Sequence, residues 1–63
     1  MLADEIEAYG RALTAQEVAR LLKLHTHSVY RLAINGTLPH FRIGSSVRFD
    51  CRALARFLRE QSA

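Results

Sequence analysis

The chain has 63 residues, enough for one domain with a small core and too few for an enzyme enclosing a substrate pocket. One cysteine, Cys51, excludes an internal disulfide framework and a cysteine-based zinc finger, so folding rests on the 49% apolar residues. Residues 1–10 hold Asp4, Glu5 and Glu7 without a base, a charge of −3. Residues 11–63 hold all nine bases against Glu17, Asp50 and Glu60, a charge of +6. Eight of the nine are arginine, whose planar fork suits phosphates and guanine edges, so an anionic partner is indicated. No apolar run reaches a membrane span and the acidic start is no signal peptide. The composition reads as a small soluble protein of a reducing, cytoplasmic compartment, with no membrane contact.

Leu2, Ile6 and Tyr9 form one stripe of a short helix in the acidic segment 1–10, with Gly10 as its stop. Two turns are too few to stand alone. The segment therefore packs either on its own domain or on a neighbouring copy, or else frays.

The domain proper is read as residues 11–63. Thr14 and Glu17 form a capping box, and Leu13 with Val18 a hydrophobic staple, starting a helix over about 14–22. Lys23-Leu24-His25 is a tight connection. A second helix follows over about 26–35, with Val29, Leu32 and Ala33 inward. Thr26, His27, Tyr30 and Arg31 are left toward the other side. Asn35-Gly36 caps it and Pro39 prevents its resumption. This is a helix-turn-helix spacing.

Residues 40–49 alternate with period two around Gly44-Ser45-Ser46 and predict a hairpin. A three-residue loop pairs 43 with 47, 42 with 48 and 41 with 49, placing Phe41, Ile43, Val47 and Phe49 on one inward face. Arg42 and Arg48 then oppose each other outside, either to hold an anion or to splay into water. Asp50 caps a last helix over 50–61, stapled by Phe49 and Leu54. Cys51, Leu54, Phe57 and Leu58 face its core side, and Arg52, Arg56 and Arg59 the other.

Catalytic and metal chemistry find no support. His25, His27, His40 and Cys51 lack metal-site spacing, and Ser45 and Ser46 lack a neighbouring base. Neither familiar Gly-rich phosphate loop occurs, so the chain reads as a non-enzyme without cofactors.

The run Thr14-x-x-Glu17-x-Ala19-x-x-Leu22, then Ser28-Val29-Tyr30-Arg31-Leu32, Gly36-x-Leu38-Pro39, Arg42-Ile43-Gly44 and Arg48-Phe49 resembles the excisionase-type winged helix-turn-helix domain of the MerR-like superfamily. The resemblance covers residues 13–58. It departs at His25, where the family commonly has a small hydroxyl residue as helix cap.

The resemblance implies a mainly α fold with a small β-hairpin: a recognition helix in the major groove and a wing at the minor groove or backbone. By position the helix offers Thr26, His27, Ser28, Tyr30 and Arg31, and the wing Arg42, Ser45, Ser46 and Arg48. Tyr30 serves either DNA or the core. The long dimerisation helix and effector region of MerR regulators are not expected, so no small-molecule effector is either. The implied function is that of a recombination directionality factor. Such a protein bends attachment-site DNA of a phage or element beside further copies of itself and steers an integrase toward excision. Two alternatives stand beside it. One is a small transcriptional regulator or antitoxin-like repressor. The other is a protein-interaction module whose Arg52, Arg56 and Arg59 stripe binds an acidic partner.

Overall fold

The computed structural model describes residues 1–61; the final two positions of the 11–63 domain lie outside the described residues. Helix α1 (Leu2–Glu7) is followed by strand β1 (Ala12–Leu13). The helix pair α2 (Ala15–Leu22) and α3 (Thr26–Ile34) comes next, then strands β2 (Phe41–Ile43) and β3 (Ser46–Asp50), then α4 (Cys51–Gln61). The result is a mostly helical winged helix-turn-helix fold.

Local chemistry accounts for the helix limits. At α2 the Thr14 side chain accepts from the Glu17 N–H at 3.1 Å, and the Glu17 carboxylate accepts from the Thr14 N–H at 2.9 Å. Leu13 and Val18, both fully buried, staple the entry. Helix α2 stops at Lys23, which takes the left-handed conformation at φ 58°, a position more often given to glycine. Asp50 Oδ2 accepts from the Ala53 N–H at 3.0 Å and caps α4. Gly36, at φ 84°, follows α3, and the Asn35 side chain accepts from the Thr37 N–H.

The strands form an antiparallel sheet in the order β1-β3-β2. β1 is an element that periodicity alone did not reveal, because two residues carry no alternation. It pairs Ala12 with Asp50 and Leu13 with Phe49, so the central strand is β3.

The hairpin register corrects the expected one. Phe41 pairs with Arg48, Arg42 with Val47 and Ile43 with Ser46, across a two-residue turn of Gly44 and Ser45. The cause is where the positive φ falls. Gly44 has φ 61° and Ser45 is not among the positive-φ residues, the signature of a type II′ turn with glycine first. A three-residue loop needs its glycine last. In consequence Phe41 and Ile43 are exposed, at 38% and 67%, while Val47 and Phe49 alone take the inward places. Arg42 and Arg48 lie on opposite faces of the hairpin and cannot clasp one anion between them.

The core gathers Ile6, Leu13, Val18, Val29, Leu38, Phe49, Cys51 and Leu54 from every helix, from β1 and β3 and from the connection after α3. The N-terminal segment packs on its own domain. α1 lies along α4 and buries Ala3 and Ile6, leaving Leu2 and Tyr9 exposed, so its inward stripe differs from the expected one. Arg59 donates to Asp4 at 2.6 Å and to Glu7 at 2.7 Å, and the Cys51 thiol donates to the Glu7 carbonyl. The acidic segment therefore spends its charge inside the chain. Cys51 is a core residue, as its place on the α4 stripe implies.

Two tests follow from this packing. Phe49→Ala removes a fully buried ring and should destabilise the fold by about 3–5 kcal/mol. Ile43→Ala, by contrast, should leave a denaturant melt within about 0.5 kcal/mol of the parent. The second test concerns acid. The Arg11 guanidinium, 2.6 Å away, and then the Thr14 N–H hold the Glu17 carboxyl down at about 2. The ordinary value is about 4.3. A depressed folded-state pKa gives stability that is complete above the ordinary value and lost as pH falls toward about 2. In an NMR titration Glu17 should show that low midpoint, and Arg11→Met should move it upward.

Candidate nucleic-acid interface

Helix α3 is held from below and open above. Val29 and Ala33 are buried, and Tyr30 and Leu32 pack partly against the same core. On the far side His27, Arg31 and Ile34 recur at i, i+4 and i+7 and are exposed. Thr26 and Ser28 flank them, half-buried. Tyr30 thus straddles the two roles left open for it, with its ring half-buried against the core. The helix begins at His25, whose backbone carbonyl accepts the N–H of Ser28 and of Val29. Its side chain makes no cap bond and its ring stacks on that of His27, centroids 6.3 Å apart.

Ile34 is a surface residue that the sequence reading passed over. At 69% exposed it extends the His27–Arg31 stripe by one turn, where an apolar side chain suits a thymine methyl. The signal was available: an isoleucine opposite the Val29–Ala33 stripe has no core to join.

In the wing, Arg42, Ser45 and Ser46 are exposed and Arg48 is half-buried. Arg48 donates back to the Val47 carbonyl at 2.8 Å, which holds its stem along the strand. His40 sits behind the hairpin, its Nδ1 3.1 Å from the Leu38 carbonyl and its ring tilted against Phe49. It belongs to the hinge between α3 and the wing.

The ion pairs sort the bases. Arg11 is taken by Glu17 and lies over the Tyr9 ring, and Arg59 is taken by Asp4 and Glu7. Arg20, Lys23, Arg31, Arg42, Arg48, Arg52 and Arg56 form no ion pair among the described residues. Of the α4 stripe, then, Arg52 and Arg56 keep free charge and Arg59 does not. Arg56 edges an open cleft with Gly36, Thr37, Pro39, Phe57 and Glu60. Among the described residues no cluster of three or more His, Cys, Asp or Glu is placed to hold a metal ion, and no helix is long and apolar enough to cross a membrane.

A helix pair with a polar, cation-bearing second helix and a basic hairpin beside it defines a DNA-binding helix-turn-helix protein. The comparisons agree. The sequence model of a family described as “Helix-turn-helix domain” matches residues 12–62, and the chain belongs to that family. It is also 42% identical over 48 residues to two proteins of Mycobacterium tuberculosis. These are “Putative DNA-binding protein MT0521” of strain CDC 1551 / Oshkosh and “Putative DNA-binding protein Rv0500A” of strain ATCC 25618 / H37Rv. Each match covers 76% of this chain and 62% of the relative, so the chain spans less than two thirds of the relatives' length. No solved structure matches.

Arg31 offers the sharpest check on the helix surface. Arg31→Ala should weaken DNA binding by about 1–3 kcal/mol and relax preference at one base position, read by titrating a panel of single-base variants. An equal loss on every duplex reassigns Arg31 to the phosphate backbone.

Proposed function

We propose that this protein binds double-stranded DNA by laying α3 in the major groove and the β2–β3 hairpin against the neighbouring minor groove and backbone. The observation that carries the reading is the exposed His27–Arg31–Ile34 stripe, backed by a rigidly packed helix and flanked by unpaired arginines. Thr26, Ser28 and the Tyr30 hydroxyl flank that stripe and position the backbone. Arg42, Arg48, Ser45 and Ser46 hold phosphates from the wing. Lys23 and Arg20 add cations from the turn and the preceding helix.

The role we propose is the excisionase-type one. Resemblance of residues 13–58 to that group supports it, and so does the small footprint of one such domain, which favours several copies on adjacent sites sharing the cost of bending. In this reading the protein bends attachment-site DNA and biases an integrase toward excision. With α1 and Arg59 occupied by one another, Arg52 and Arg56 are the charges left on α4 for a neighbouring copy or the integrase.

Two measurements test this. If about five phosphates are neutralised per protomer, log K should fall with log salt at a slope near −4 to −5. A slope shallower than about −1 contradicts the electrostatic docking. For the role, a recombination assay with the integrase encoded nearest should show excision only when the protein is added. Binding confined to promoter DNA, without effect on recombination, identifies a transcriptional regulator instead.

A further inference from the structure

The core makes no use of the Phe-x-Ile alternation in β2. Phe49, fully buried, and Val47 fix the inward face of β3, and the two-residue turn then sends Phe41 and Ile43 outward. The two side chains stand two residues apart on one face, beside Ser46 and Arg48, and form an apolar ridge that ends at the turn. A lone exposed apolar residue is ordinary, but a paired ridge at the tip of a projecting hairpin is not a scattered one. Its surroundings are basic: Arg48 shares its face, Arg42 projects from the other face of the same hairpin, and residues 40–49 include no acid. The nearest acid in sequence, Asp50, is engaged at the start of α4.

That combination of an apolar point and a cationic rim matches the minor groove. The groove is about 6 Å wide, so a side chain enters it where a whole sheet cannot. Its negative potential attracts the flanking arginines. Apolar side chains that enter it part base steps and kink the duplex. Isoleucine is stiff at χ1 and loses little freedom on insertion.

We propose that Ile43, backed by Phe41, is an apolar wedge that the wing drives into the minor groove, and that this contact bends the DNA. The inference rests on the docking reading above and adds to it the residue that does the bending. Arg42 and Arg48 anchor the wing, and Ile43 deforms the duplex.

The test uses the full chain and a mixed-sequence duplex of about three helical turns carrying a fluorophore at each end. Affinity, salt slope and end-to-end energy transfer are measured for the parent, Ile43→Ser, Ile43→Val, Arg42→Gln and Arg48→Gln, each with a melting curve. Ile43→Ser should melt like the parent, bind about tenfold more weakly, keep the parent's salt slope and lose the bend. Ile43→Val should keep the bend. Arg42→Gln and Arg48→Gln should each flatten the slope by about one while the remaining bound complex stays bent. If Ile43→Ser binds and bends like the parent while the arginine variants flatten the slope, the wedge is overturned and the docking reading stands. If Ile43→Ser changes only cooperativity between copies, the ridge is a protein contact and the wedge is again overturned. If the parent shows no salt-dependent binding, both the docking reading and the wedge fall.

Discussion

Burial of Phe49 sets the geometry of the whole domain. The ring is inaccessible to solvent and its residue pairs with Leu13, so it locks the central strand to β1 below the α2 entry. α4 begins two residues later, its first residue Cys51 also buried. Strand periodicity carries the constraint outward: with Phe49 in, Val47 is in, while Arg48 and Ser46 are out. The type II′ turn transmits that phase to β2 and decides which residues the hairpin shows to the surroundings. A single buried aromatic thereby determines what the wing can touch.

The charges follow a second division. The acidic N-terminal helix and the Thr14–Glu17 cap each consume one arginine, Arg59 and Arg11, within the fold. These pairs are exposed and screened by salt, so they orient elements more than they stabilise them. The remaining bases, on α2, the turn, α3, the wing and the first half of α4, keep their charge for a partner. The +6 of residues 11–63 is thus overstated as a binding charge, and the electrostatic surface is the part that internal pairing leaves over.

Much of this was legible in the sequence because capping and helical periodicity are local. Thr14, Glu17, Asp50 and Asn35-Gly36 bounded the three larger helices to within a residue or so, and the apolar stripes of α3 and α4 faced as read. The hairpin register was not legible. Choosing by hydrophobic alternation favoured burying Phe41 and Ile43, but turn chemistry won: glycine in first place of the turn fits two residues, not three. β1 was missed because two residues have no period, and its existence depends on β3, remote in sequence. The partner of α1 was equally hidden, since Arg59 lies at the opposite end of the chain. On the candidate surface, His27 and Arg31 are exposed as helical periodicity implies and Thr26, Ser28 and Tyr30 are half-buried, whereas Arg42 and Arg48 do not oppose each other.

On the proposed reading, α3 and the wing form one DNA-facing surface on a fold whose α1–α4 side is closed by its own contacts. Backbone amide shifts of the labelled protein, followed as duplex DNA is added, test it most directly. Perturbations should concentrate at residues 26–31 and 42–48, with residues 2–7 almost unmoved. Perturbations centred on Arg52 and Arg56 of α4, with α3 and the hairpin silent, would contradict it.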